Sequence, residues 1–126
     1  MLTRLRFLFS ALGLAVAASA QEPKLIDVDE LDNLLKEGKV FLLDVRDPDE
    51  LKSAGAVKGY VNIPLSDLEK RMDEIPKDRI IVTFCARGKR AALAGEKLNK
   101  AGYQVIGCTG INQWKAGKKP VVYPGQ

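Results

Sequence analysis

Two apolar runs of strand length constrain the fold of this chain more than any other feature. Val40 to Val45 is interrupted only by Asp44, and Ile80 to Phe84 reads Ile-Ile-Val-Thr-Phe. Runs without polar alternation indicate strands covered on both faces, as parallel strands joined by helices are. Shorter strands are predicted at Val61 to Ile63 and at Tyr103 to Ile106.

Helical patterns lie between these strands. Caps, apolar spacing and glycine boundaries predict helices at Asp27 to Gly38, from Asp47-Pro48, from the capping box Ser66 to Glu69, at Ala91 to Ala101 and at Gly110 to Lys115. Strands that alternate with crossover helices predict an α/β fold with a mainly parallel central sheet and helices on both faces. The length of 126 residues allows one domain.

The first twenty residues have the three regions of a cleavable signal peptide. Arg4 and Arg6 give a positive start, Phe7 to Ala18 is largely apolar, and Ala18-Ser19-Ala20 is a small-residue cleavage site. Twelve residues of helix rise only about 18 Å, which is too short to span a bilayer. We therefore expect a signal peptide at 1–20, a domain at 21–126, a periplasmic or secreted location and no stable membrane association after cleavage.

Composition excludes several classes of chemistry. The chain has no histidine, so no catalytic pair of serine or cysteine with histidine can form. Two cysteines are too few for a four-cysteine zinc site, and we expect neither a metal nor a cofactor. Cleavage would remove two arginines and no acid, lowering the formal charge from +4 by two. No basic stripe with interleaved aromatics is present, so a nucleic-acid partner is not expected.

The clearest chemistry follows the second apolar strand. Cys85 stands at the carboxyl end of that strand and just before a predicted helix, where open α/β sheets place their ligands. The free N–H groups of the helix start, the backbone freedom of Gly88 and nearby cations all favour a thiolate over a thiol. Cys85 is therefore predicted to be a nucleophile, although a buried cysteine that only fills space is the alternative. The residues predicted to bind an anionic substrate are Ala86, Arg87, Gly88, Lys89 and Arg90.

Four motifs in order resemble those of the single-domain rhodanese-like sulfurtransferases, over roughly Leu25 to Val121. They are Leu43-Asp44-Val45-Arg46 with Asp47-Pro48-Asp49-Glu50-Leu51, Gly59-Tyr60-Val61-Asn62-Ile63-Pro64, Cys85-Ala86-Arg87-Gly88-Lys89-Arg90-Ala91, and Gly110-Ile111-Asn112-Gln113-Trp114 with Gly117 and Pro120-Val121. With its amino-terminal segment, the chain is most similar to the small periplasmic rhodaneses of bacteria. It departs from many members at Gly55-Ala56-Val57-Lys58-Gly59, where they have Gly-His-Ile-Pro-Gly.

The resemblance implies a sulfurtransferase, and we expect the protein to be a monomer. Cys85 would take the outer sulfur of thiosulfate or a similar anionic donor as a persulfide and pass it to a thiophilic acceptor such as cyanide or a thiol. Phosphatases of the same fold place an arginine six positions after the cysteine, where this chain has Ala91. Sulfur transfer is therefore favoured over phosphoryl transfer.

Three further residues have more than one interpretation. Asp44 and Arg46 are predicted to be structural residues near the site, Asp44 by bonding loop amides and Arg46 by pairing with a carboxylate. Cys108, which follows the predicted strand Tyr103 to Ile106, is either a small buried residue or a candidate redox partner of Cys85. A thiol-disulfide redox protein and a non-catalytic persulfide carrier therefore remain alternatives.

Overall fold

A computed structural model describes residues 23–125. The predicted signal peptide, Met1 to Ala20, and its cleavage site lie outside the described residues. Between residues 23 and 125, no helix is both long enough and apolar enough to cross a bilayer.

Within the described residues, the sheet has four parallel strands. They are β1 (Val40–Asp44), β2 (Val61–Asn62), β3 (Ile80–Cys85) and β4 (Gln104–Gly110), in the spatial order β2-β1-β3-β4. Register pairs Asp44 of β1 with Phe84 of β3, and Cys85 of β3 with Gly110 of β4. The carboxyl ends of the three longer strands therefore meet at one edge, and the predicted parallel sheet is confirmed.

Helices cover both faces of the sheet, as predicted. They are α1 (Val28–Lys36), α2 (Pro48–Ala54), α3 (Lys89–Lys100) and α4 (Ile111–Ala116). On one face, α3 buries Ala91, Ala94 and Leu98 in a cluster with side chains of the sheet. On the other, Leu31 of α1 and Trp114 of α4 share a second cluster with Leu42 and Phe84. Trp114 also donates its indole N–H to the Pro120 carbonyl at 2.8 Å, so this buried ring ties α4 to the segment that follows it.

The prediction of a helix that begins at the capping box Ser66 to Glu69 is wrong. This segment forms two short 3-10 turns, Leu65–Asp67 and Met72–Glu74. Hydrogen bonds also join this segment to distant parts of the fold. The N–H of Leu65 donates to the Val45 carbonyl at 2.9 Å, and the Tyr103 hydroxyl donates to the Met72 carbonyl at 2.7 Å.

Strand β4 extends four residues beyond the predicted end at Ile106. The chain from Lys24 to Ile26 runs beside it, because the N–H of Cys108 donates to the Lys24 carbonyl and the N–H of Ile26 to the Cys108 carbonyl. A Cβ at Gly107 would lie 2.8 Å from the Cβ of Ile26. Gly107 therefore permits this close pairing, whereas in the sequence it resembles the start of a loop.

Candidate functional site

The reactive loop joins β3 to α3. Cys85 is the last residue of β3, and α3 begins at Lys89 after the left-handed Gly88, whose φ is +110°. Loop and helix start enclose an open pocket of about 300 Å³ lined by Cys85, Ala86, Arg87, Lys89 and Arg90. The structure thus brings together the predicted nucleophile and four of the five predicted substrate-binding residues, while Gly88 is buried beside the sulfur.

Two backbone amides point at the sulfur of Cys85. The N–H of Gly88 donates to Sγ at 3.0 Å and that of Ala91 at 3.3 Å. Both belong to the start of α3, where the free N–H groups and the helix dipole present positive charge. A sulfur held this way is stabilised as an anion without an imidazole base. The sequence did not reveal the role of Ala91, because this residue acts through its backbone N–H and its side chain gives no sign of that role.

Residues at the end of β4 and in α4, at the same end of the sheet as Cys85, hold the loop in place. The N–H of Asn112 donates to the Ala86 carbonyl at 3.0 Å, and the Gln113 side chain donates to the Arg87 carbonyl at 2.7 Å. At Gly110, an added Cβ would collide with the Ala86 carbonyl. The motif Gly110 to Trp114 therefore holds the reactive loop in place through these contacts.

The three cations near Cys85 fall into two groups. Arg90 forms a two-pronged ion pair with Glu50 of α2, with both N···O distances at 2.9 Å. Arg87 and Lys89 are exposed at the pocket, and neither forms an ion pair with a described residue. The prediction treated all three as equivalent. Glu50 was missed because it lies forty positions from Arg90, so no local pattern connects them.

The hydrogen bond with Arg90 lowers the pKa of Glu50 to about 2. Burial opposes this shift, and the hydrogen bond from the N–H of Asp47 adds to it. In turn, Glu50 raises the pKa of Arg90 above its ordinary value. The pair is therefore ionised throughout the neutral range.

Asp44 and Arg46 form a buried ion pair at the end of β1. The Arg46 guanidinium donates to the two carboxylate oxygens of Asp44 at 3.0 and 2.7 Å, and to the Gly55 carbonyl at 3.0 Å. Arg46 thus pairs with a carboxylate, as expected. Asp44 accepts a backbone bond from Arg46 itself at 3.1 Å, so the expected bonds to reactive-loop amides are replaced by this local pair.

Cys108 lies inside β4, and the prediction that it follows its strand is wrong. It pairs with Thr83, two residues before Cys85 on β3. Strand spacing and rise put the two cysteine Cα atoms about 8 Å apart, beyond the separation a disulfide tolerates. Both cysteines are buried, and no disulfide joins them. The Cys108 thiol lies 3.5 Å from the Pro23 carbonyl, to which it donates.

Metal ligands are sparse in the part of the chain that the structure describes. Residues 23–125 contain no group of three or more cysteine, aspartate or glutamate side chains placed to hold an ion. The carboxylates nearest the reactive loop, those of Asp44 and Glu50, are each bound to an arginine. The chemistry that this site offers is therefore that of a sulfur contacted by two backbone N–H groups beside exposed cations.

Comparison with known proteins gives consistent matches. The pattern of the rhodanese-like domain matches residues 27–117. A sulfurtransferase of Allochromatium vinosum is 34% identical over 102 residues, covering 79% of this chain and 94% of that protein. The thiosulfate:glutathione sulfurtransferase of Homo sapiens is 35% identical over 92 residues, covering 62% of this chain and 79% of that protein. The protein YqhL of Bacillus subtilis is 38% identical over 81 residues, 64% of this chain but only 60% of its own length.

A solved structure shares the fold. The crystal structure of a rhodanese-related protein from Thermoplasma volcanium is similar with a TM-score of 0.72 and 32% identity, covering 79% of this chain and 97% of that one. The matched residues 27–117 include the whole reactive loop. The chain therefore belongs to the rhodanese-like family, and its relatives include sulfurtransferases.

Proposed function

We propose that the protein transfers sulfane sulfur from thiosulfate, or a similar anionic donor, through a persulfide on Cys85 to a thiophilic acceptor such as cyanide or a thiol. The single observation that carries this proposal is the pair of N–H groups, from Gly88 and Ala91, that contact the sulfur of Cys85. The same two donors suit the terminal charge of a persulfide, since preformed N–H groups stabilise anions in a site that need not reorganise.

The reaction divides into two displacements. The Cys85 thiolate attacks the outer sulfur of thiosulfate, an S–S bond forms, and the S–S bond of the donor breaks so that sulfite leaves with the electron pair. The acceptor then attacks the terminal sulfur of the persulfide, and the Cys85 thiolate leaves. Neither step requires a general base, which agrees with a chain that has no histidine.

Charge at the pocket supports an anionic donor. Arg87 and Lys89 are exposed around the sulfur, so they raise the local concentration of a dianion such as thiosulfate. The pocket volume of about 300 Å³ suits a small inorganic donor. A human relative at 35% identity is named for transfer from thiosulfate to glutathione, which supports the same donor and a thiol acceptor here.

The amino-terminal sequence supports action outside the cytoplasm. Arg4 and Arg6, the apolar stretch Phe7 to Ala18 and the small residues before Gln21 fit export with cleavage after Ala20. We propose a periplasmic or secreted protein of which residues 21–126 are the active domain. Sequencing the amino terminus of the exported protein tests this, and an intact Met1 in the mature protein would contradict it.

Steady-state turnover tests the proposed reaction. Thiocyanate formation from thiosulfate and cyanide is measured for the wild type, Cys85→Ser and Cys108→Ser. We expect activity in the wild type and in Cys108→Ser, and none in Cys85→Ser. A wild-type protein that accepts sulfur without passing it to cyanide or small thiols would contradict catalysis and favour a persulfide carrier. Loss of turnover in a folded Cys108→Ser variant would favour the redox alternative, which the separation of the two cysteines does not support.

A further inference from the structure

The ion pair of Glu50 and Arg90 joins α2 to the start of α3, beside the reactive cysteine. Its two hydrogen bonds are both 2.9 Å long, and each side chain is 36% exposed. Glu50 is itself held in place, because its Oε2 also accepts the N–H of Asp47 at 3.1 Å. A two-pronged pair between an arginine and a fixed carboxylate has one geometry, so it orients the guanidinium.

Charged groups lie around the reactive loop on three parts of the fold. The loop and α3 contribute Arg87, Lys89 and Arg90, and α2 with its N-cap contributes Glu50 and Asp47. The end of β1 and the residues just after it contribute the mutually paired Asp44 and Arg46. Arg90 directly precedes Ala91, whose N–H contacts the Cys85 sulfur at 3.3 Å, and it lines the same pocket as Cys85, so its charge acts at the sulfur.

We propose that Glu50 is a positioning residue that fixes Arg90 in the wall of the pocket and offsets its charge at the Cys85 sulfur. Arg90 then serves as a support of the loop, and the donor meets Arg87 and Lys89 together with the two amides. This inference rests on the proposed function for its meaning in sulfur transfer. The effect of Glu50 and Arg90 on the electrostatic potential at the Cys85 sulfur is called the electrostatic link. It is a property of the loop and is measurable without any sulfur donor.

The electrostatic link predicts that neutralising Glu50 and neutralising Arg90 change the potential at the Cys85 sulfur in opposite directions. Glu50→Gln leaves the Arg90 cation without its anion, so the potential at the sulfur becomes more positive. Arg90→Gln leaves the Glu50 anion alone, so the potential becomes more negative. The double variant removes both charges and returns the potential to near that of the wild type. A merely structural pair would damage the loop in the same direction in all three variants.

Alkylation of Cys85 by two reagents of different charge measures this potential. The rate ratio of iodoacetate, an anion, to iodoacetamide, which is neutral, is followed by mass spectrometry of the peptide that contains Cys85. We expect the ratio to rise about threefold in Glu50→Gln, to fall about threefold in Arg90→Gln and to return to within a factor of two in the double variant. Near-ultraviolet circular dichroism and thermal unfolding show that each variant is folded.

A second ion pair provides the matched control. Arg71 and Glu74 also bond through two prongs, at 2.9 and 3.0 Å, but neither residue lines the pocket at the reactive loop. Glu74→Gln should leave the ratio unchanged. Equal ratios in Glu50→Gln and the wild type, or a double variant as altered as either single one, would overturn the proposal. If the ratios behave as expected while the wild type forms no persulfide, the proposed function fails and the electrostatic link stands.

Discussion

The contact between Gly110 and the reactive loop gives the sharpest test of how the fold supports the site. A Cβ built on Gly110 would collide with the Ala86 carbonyl and lie 2.7 Å from the Arg87 nitrogen. The φ of Gly110 is −156°, a conformation that any residue adopts, so Gly110→Ala adds bulk without backbone strain. The loop must therefore move away by about 1 Å to restore ordinary contact distances.

Two consequences of Gly110→Ala differ in size. Overpacking costs about 2 kcal/mol of unfolding free energy, which lowers the melting temperature by roughly 10 °C for a domain of this length. A displacement of about 1 Å carries the N–H groups of Gly88 and Ala91 away from their positions at the sulfur. Such a misplacement lowers turnover roughly 100-fold.

The assay compares Gly110→Ala with Gly38→Ala. Gly38 has φ +68° and open space around its Cα, so alanine there costs about 1 kcal/mol through backbone strain alone, far from the loop. Both variants should melt earlier than the wild type, but only Gly110→Ala should lose turnover at a temperature where both are folded. Wild-type turnover in Gly110→Ala would refute the reasoning that the close approach at Gly110 positions the loop.

Three further predictions concern charge. Asp44→Asn leaves the buried Arg46 cation without its carboxylate and should lower the unfolding free energy by about 3–5 kcal/mol in denaturant titrations; a loss below 1 kcal/mol would contradict this. The pKa of Glu50, held near 2 by Arg90, means that the pair stabilises the fold fully above about pH 4.5 and loses this contribution as the pH falls toward 2. Wild type and Glu50→Gln should therefore converge in stability across that range, by less than about 1 kcal/mol because the pair is partly exposed. Arg87→Gln should raise the KM for thiosulfate several-fold at unchanged kcat, and a difference that persists at high salt would exclude an electrostatic origin.

Much of the fold was predictable because its signals are local. The apolar runs that form β1 and β3 lack the alternation of a half-exposed strand, and helices cover these strands on both faces of the sheet. Asp27 caps α1 by accepting the N–H of Asp29 at 3.1 Å, so this helix begins where its sequence indicated. Cys85 was placed at the end of its strand for the same reason.

The failures arose where distant contacts decide the structure. The capping box Ser66 to Glu69 predicted an α-helix, but the segment forms 3-10 turns. The hydroxyl of Tyr103 donates to the Met72 carbonyl in this segment and helps to hold it in that conformation. The chain at Lys24 to Ile26 pairs with β4 and prolongs it past Gly107. The spacing of residues within one segment does not reveal partners that lie far away in the sequence.

The site also divides into features that local sequence predicts and features that depend on distant contacts. The positions of Cys85 and Gly88 followed from the order of strand, loop and helix. The separate role of Arg90 did not, because its partner Glu50 lies on another helix. The support that Asn112 and Gln113 give to the loop also depends on a distant pairing, between β3 and β4.

Intact-protein mass spectrometry after incubation with thiosulfate tests the central claim most directly. The mature wild type should gain the mass of one sulfur atom and lose it on addition of cyanide, with the mass restored to that of the untreated protein. Cys108→Ser should behave in the same way, and Cys85→Ser should gain nothing. Sulfur addition that survives in Cys85→Ser, or a folded wild type that takes up no sulfur, would contradict the assignment of Cys85 as the sulfur-carrying nucleophile.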